Sequence, residues 1–320
     1  MELLTTLVLI AIGIVIAVIC AGLIAEAMRI APKHPEQLYW APDIPIDYVE
    51  VDGVRLRYIK SGRGPVLVLL HTLRTQLDIF EKVVPLLSQH FTVYAFDFPG
   101  HGFSDIPKAD YKPELFVKAV AGFLDKLDLK DVTLAGISIG GVIPLLLAAD
   151  KNPRVKRVIS INPYDYAEGA GLARANIIAA LIFTLARIPL VGETVMRLRN
   201  AALETHILRG GVVDPEALTP TLAGLVYASG LRPGHYRAFL NLLRHAHLWD
   251  EAQDRYGEIE VPVLVVYGKH DWSGAKERRR TVRAIPGARV EEVPDGGHFL
   301  SLDQPKRLSE LIVRFANPPT

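Results

Sequence analysis

Five short stretches of this chain are apolar almost throughout, with little of the alternation shown by a strand that faces water on one side. They are residues 65–71 (PVLVLLH), 91–100 (FTVYAFDFPG), the DVTLAGI run ending at Ile137, VKRVISINP, and 261–268 (VPVLVVYG). Stretches with helical spacing separate them, among them PELFVKAVAGFLDKL and GGVIPLLLAAD, and a helical stretch running through Val84 after the first. A strand that is apolar on both faces must be covered on both, and helical crossovers are what cover a parallel sheet. The chain therefore reads as α/β, with a mostly parallel central sheet. Before the first run, IDYVEVDGVRLRYIKSG gives two alternating runs hinged at Asp52–Gly53, which signals a hairpin. After the last come a basic helix, the strand ARVEEVP and an amphipathic helix over about 304–315.

The alternation breaks once. From 165 to 256 the pattern is mostly helical, and because sheet-forming runs resume afterwards, this block reads as a helical cap inserted into one domain. The predicted division is 1–28, an N-terminal transmembrane anchor; 29–45, a proline-rich spacer; 46–164 and 257–320, the two parts of the core; and 165–256, the cap. The anchor rests on residues 3–25, LLTTLVLIAIGIVIAVICAGLIA, which carry no charge over 23 positions. About 20 apolar residues in a helix cross the hydrocarbon core of a bilayer. A cleaved signal peptide is the competing reading, opposed by the lack of a basic n-region and by the length of the run. Arg29 and Lys33 flank the segment on its C-terminal side, which places the rest of the chain on the cytoplasmic side of the membrane. The remaining charges are interspersed and sum to +1 over the whole chain, with no basic stripe or arm, so nucleic acid is not an expected partner.

Gly136-Ile137-Ser138-Ile139-Gly140 has the pattern G-x-S-x-G between a predicted strand and a predicted helix. That setting suits a nucleophile turn so tight that the residues two positions to either side must lack bulk. Serine is a weak nucleophile and needs a base, itself oriented by an acid. Asp271 follows one predicted strand in VYGKHDWSG, and His298 follows the next in VPDGGHFLSLDQP. Both belong at the sheet edge that carries Ser138. Asp165, in INPYDYAE after the preceding strand, is the alternative acid. His245 and His247 lie two apart in a helical reading and face different sides, so no metal site is expected.

With these motifs in view, residues 46–316 resemble the α/β-hydrolase fold family in its capped branch. HTLRTQLDIF stands where the family's oxyanion loop lies, FDFPGHGFSD resembles its D-x-P-G-x-G-x-S segment, GISIGG is the elbow, and GKHDW and GGHF carry the acid and the base. The resemblance implies an oxyanion hole made by the backbone N–H of Ile139 and by that of Thr72 or Leu73. The chain departs from the family's usual His-Gly by having His71-Thr72, which leaves the second donor open by one residue. Asp97 and His101 are expected to serve the loop around DFPGHG. Arg74 is expected to form a local ion pair with Asp78, four residues on; its other reading is a contact with an anionic group on the substrate.

The expectation is a membrane-anchored serine hydrolase acting on small-molecule or lipid esters, without cofactor or metal. The helix read over 175–186 (ANIIAALIFTLA) is apolar all round, which suits either burial against an acyl-binding cleft or contact with lipid. A C–C bond hydrolase or an acyltransferase with the same triad is the alternative among enzymes. A non-catalytic ligand-binding module on the same fold is the alternative from another class.

Overall fold

The computed structural model describes residues 1–317. Eight strands form one sheet: β1 (Ile46–Val51), β2 (Val54–Ser61), β3 (Val66–Leu70), β4 (Thr92–Phe96), β5 (Val132–Ile137), β6 (Val155–Ile161), β7 (Val263–Gly268) and β8 (Arg289–Val293). Their order is β1-β2-β4-β3-β5-β6-β7-β8. The β1–β2 and β2–β4 pairings are antiparallel and the remaining pairings are parallel. The turn between β1 and β2 places both Asp52 and Gly53 at positive φ, 49° and 76°. Two such residues give the turn whose twist matches that of the strands it joins.

The central strands are buried at every position of β5 and β7. Helices Pro113–Lys126 and Ile139–Ala149 cover one side, with Phe123 stacked on Phe96 at 4.4 Å between ring centroids. The C-terminal helix Pro305–Ala316 packs its apolar stripe into the core of the other side through Leu308, Leu311 and Ile312. The stretch after β3 is not the continuous helix expected through Val84. It is a 3-10 turn at Leu77–Phe80 followed by one short helix at Val84–Leu87. The reason is electrostatic. The Leu77 N–H donates to Asp97 Oδ1 at 2.8 Å, and Asp78 is drawn inward to Arg57, so the backbone is held to the sheet before a helix can run.

Between β6 and β7 the chain makes only helical elements, chief among them Ile177–Ala186, Val191–Arg197, Ala201–Arg209, Pro220–Ser229 and His235–Arg244. The first of these is not uniformly buried: Ala179, Phe183 and Ala186 face inward, whereas Ile177 and Leu181 are exposed. The N-terminal helix Glu2–Ala27 has a mean hydropathy of 3.2 over its most apolar window, and is long and apolar enough to cross a membrane. Little of it is covered by the rest of the chain. Gly22 is the exception, buried against Thr194 and Arg197 of the helical insertion.

Replacing Phe123 by alanine removes a fully buried ring that touches Phe96, Tyr58 and Tyr94. Denaturant unfolding in detergent is expected to show a loss of about 3–5 kcal/mol.

Candidate active site

β5 runs directly into Ser138, which adopts φ 62°, ψ −121°. A non-glycine residue there carries strain of roughly 1–3 kcal/mol and persists only if its surroundings over-determine it. They do. The Ser138 N–H donates to the Ile161 carbonyl at 2.9 Å, and the Ser138 carbonyl accepts from Gly141, Val142 and Tyr164. A side chain at Gly136 would meet the Gly140 carbonyl oxygen at 1.9 Å, and one at Gly140 would meet the His71 carbonyl oxygen at 2.3 Å. The elbow therefore closes only with glycine at both places, and it packs backbone to backbone against the loop that leaves β3.

That loop is ordered from its own side. His71 Nε2 accepts from the Phe98 N–H at 2.9 Å, which leaves Nδ1 to carry the proton and donate to the Thr72 carbonyl at 2.7 Å. Burial lowers the His71 pKa to about 3, so the ring stays neutral and this tautomer is kept. Thr75 Oγ1 also donates to the Thr72 carbonyl, at 2.9 Å. With that carbonyl held twice by side chains, the planar trans peptide fixes the Leu73 N–H to point the opposite way. Thr72 and Leu73 both line a cavity, described below.

Asp271 and His298 come together. His298 Nδ1 lies 2.5 Å from Asp271 Oδ1, with both side chains fully buried. Burial opposes charge on Asp271, but His298 and the Ser273 backbone and hydroxyl donors outweigh it and hold the carboxyl below its usual range. The Trp272 indole stacks on the imidazole, 3.8 Å between centroids and 13° between planes. Ser138 Oγ and His298 Nε2 are both buried and without a hydrogen-bond partner among the described residues. Asn162 connects their neighbourhoods. It follows Ile161, which holds Ser138, and its Nδ2 donates to the carbonyls of Gly297 and His298 at 2.9 and 3.0 Å, while its Oδ1 accepts from the Gly268 N–H.

Asp165 lies elsewhere. Thr281 Oγ1 donates to its carboxylate at 3.0 Å and Gln253 donates to its backbone carbonyl, and it makes no bond to His298. Burial raises its pKa to about 7, more than the neighbouring donors lower it.

The expected Arg74–Asp78 pair is not formed. Arg74 sits at φ 61°, outside helical geometry, so the spacing of four does not bring the two together. Its Nη2 pairs instead with Glu204 at 2.5 Å, and its Nη1 lies 3.3 Å from His235 Nε2. Asp78 accepts from the buried Arg57, which also reaches Asp97 at 3.2 Å. Asp97 additionally accepts from the Phe103 N–H, and the buried His101 ring packs on Phe98 and Phe116 with Nδ1 3.1 Å from the Pro99 carbonyl oxygen, so both hold the loop. Asn162, Trp272 and Glu204 were not singled out from the sequence. An asparagine directly after a buried strand, at a point where the chain must turn, was the available signal for Asn162.

The cavity contains about 840 Å³ of empty space, part of it open to solvent. It lies between the loop at Thr72–Arg74, the Trp272 and Phe299 rings, and the insertion helices bearing Phe183, Met196 and Phe239. Arg74 and Arg199 also line it, and each has a carboxylate partner, Glu204 and Glu26.

A family model described as alpha/beta hydrolase fold matches residues 65–305. An uncharacterized protein of Mycobacterium tuberculosis is 28% identical over 283 residues, covering 84% of this chain and 80% of that protein. A 2-(acetamidomethylene)succinate hydrolase of Mesorhizobium japonicum is 26% identical over 293 residues, covering 86% of this chain and 98% of the relative. Among solved structures, the enol-lactonase from Burkholderia xenovorans LB400 superposes with a TM-score of 0.66 at 25% identity, covering 84% of this chain and 99% of the enzyme.

Asp165→Asn separates the two carboxylates. The folded chain keeps the Asp165 proton to about pH 7, whereas the unfolded chain releases it near its ordinary 3.8. Folding stability from this group is therefore lost as pH rises from about 4 to 7 and stays low above that. The gain in melting temperature of the variant over the parent should widen between pH 5 and pH 8, with fluorophosphonate labelling of the protein unchanged. Loss of labelling would make Asp165 the working acid.

Proposed function

From membership of the α/β-hydrolase fold family, to which the match over residues 65–305 assigns this chain, we propose that it is a membrane-anchored serine hydrolase that cleaves carboxylic esters with an apolar acyl chain. The observation that carries the reading is the buried Asp271–His298 pair, whose free Nε2 belongs to the same sheet edge as a serine held in a strained turn with its Oγ unpartnered.

In this mechanism Ser138 Oγ attacks the ester carbonyl while His298 Nε2 takes its proton. The tetrahedral oxyanion accepts hydrogen bonds from the N–H of Ile139, at the start of a helix, and from that of Leu73. Leu73 is preferred to Thr72 as second donor because the Thr72 carbonyl is held twice on the opposite side of their shared peptide. Asp271 holds the imidazole in the tautomer with the proton on Nδ1 and stabilises the imidazolium once it forms. The indole of Trp272 adds a π face beside that cation. His298 then protonates the leaving alcohol, and water, activated by the same imidazole, releases the acyl group.

Two observations support an apolar substrate. The cavity wall is aliphatic and aromatic over most of its extent, and the two guanidinium groups in it are already neutralised by carboxylates. The anchor is supported by the length and hydropathy of the N-terminal helix.

Full-length protein in membrane fractions should label with a fluorophosphonate probe, remain with the membrane after an alkaline wash, and turn over p-nitrophenyl esters of medium or long chain. Ser138→Ala should abolish labelling and turnover. Asp271→Asn should lower kcat by roughly 10^3–10^4. A folded parent that does not label would end the serine-hydrolase reading.

A further inference from the structure

Beyond the N-terminal helix and the tail through Ile30, nine large apolar side chains are exposed among the described residues. Six of them fall between positions 177 and 198: Ile177, Leu181, Ile188, Leu190, Val191 and Leu198. Single exposed apolar residues are ordinary, but a cluster of this kind marks a surface that meets something apolar. Leu190, the second most exposed of the six, is also held at φ 67°, a conformation a leucine adopts at a cost.

The cluster lies where the N-terminal helix leaves its apolar span. The last turns of that helix rest on helix Val191–Arg197, with Gly22 against Thr194 and Arg197. Beyond them Arg29 Nη2 donates to the Arg197 carbonyl at 2.7 Å. Glu26 pairs with both Arg29, at 3.1 Å, and Arg199, at 2.9 Å. The span therefore ends beside helix Val191–Arg197, at the level of the exposed residues. Of the five arginines between positions 174 and 209, Arg174 and Arg199 are paired with Glu277 and Glu26, whereas Arg187 and Arg209 are exposed and form no ion pair among the described residues. Arg187, next to Ile188, leaves a cation for anionic headgroups at the apolar face.

The other side of the same segment is the cavity wall. Ala179, Ile182 and Phe183 of helix Ile177–Ala186, with Val195 and Met196 of the next, line the cavity, so a layer about one helix thick separates it from the exposed face. Ser138 is completely buried and does not itself line the cavity, which reaches its neighbourhood through Thr72 and Leu73 and through Trp272, stacked on His298. We propose that the face formed by residues 177–198 is seated in the headgroup–acyl boundary of the bilayer that holds the N-terminal helix. A lipid ester then enters the cavity through this wall, beside Phe183, without crossing water. The inference rests on the anchored-hydrolase reading and adds the route to its site.

The test uses full-length protein in vesicles of phosphatidylcholine with a minority of phosphatidylglycerol. On a Cys20→Ser background, which removes the only native thiol, an environment-sensitive fluorophore is placed by Leu181→Cys or, as a control on β8, by Val290→Cys. The expected result is blue-shifted emission at 181, quenched by spin labels on lipid acyl chains, and water-like emission at 290. Water-like emission at both overturns the seated face. The double variant Ile177→Asp, Leu181→Asp should lower hydrolysis of a long-chain ester in vesicles about tenfold, while leaving labelling and a soluble short-chain ester unaffected. An unchanged rate on vesicles overturns the route. Depth at 181 together with a parent that fails to label would sink the hydrolase reading while keeping the seated face.

Discussion

Two backbone segments touch in this protein where side chains would ordinarily keep them apart. The Gly136–Gly140 elbow and its contact with the His71 carbonyl leave no room for even one methyl group, and the site follows from that approach. The elbow lifts Ser138 off the end of β5 and turns its amide neighbour Ile139 into the start of a helix. It also sets that helix against the loop carrying Thr72 and Leu73. Ser138 and the N–H groups of Ile139 and Leu73, the nucleophile and donors proposed above, thus share one rigid junction. The strain at Ser138 is sustained by the sheet, since Ile161 on the adjacent strand holds its N–H.

Buried charge performs the same task one layer back. Arg57, on β2 and without exposure, bridges Asp78 of one loop and Asp97 of the next. Removing either acid would leave part of a guanidinium charge unmatched in the interior, a cost of several kcal/mol. Through this pair the antiparallel edge of the sheet, remote from the elbow in strand order, fixes the loop after β3. Asn162 acts similarly on the other side, joining the ends of β6 and β7 to the carbonyl of His298.

The strands, their burial and the positions of Ser138, Asp271 and His298 were legible because each depends on local pattern: an apolar run, then a turn with the right chemistry. What was not legible depends on distant parts of the chain. Arg74 looked like a partner for Asp78 only while the stretch was assumed helical. At φ 61° that assumption fails, and its partner Glu204 lies 130 residues away. Asp97 explains why no long helix follows β3, and it too comes from another element. Helix Ile177–Ala186 hid its two faces for a different reason. With apolar residues at nearly every position, its sequence has no polar side from which to tell the cavity from the outside.

Arg199 belongs to two structures at once. It lines the cavity and, through Glu26, closes the junction with the N-terminal helix. Coupling between two such places is reciprocal: whatever one does to the other is returned in equal measure. In the anchored hydrolase proposed above, a tilt of that helix, such as a thicker or thinner bilayer imposes, would act on the Glu26–Arg199 pair and so on the cavity wall. An acyl chain in the cavity would act back on the tilt. On that reading bilayer thickness is a thermodynamic variable of the pocket, and the helix is a lever as much as a tether.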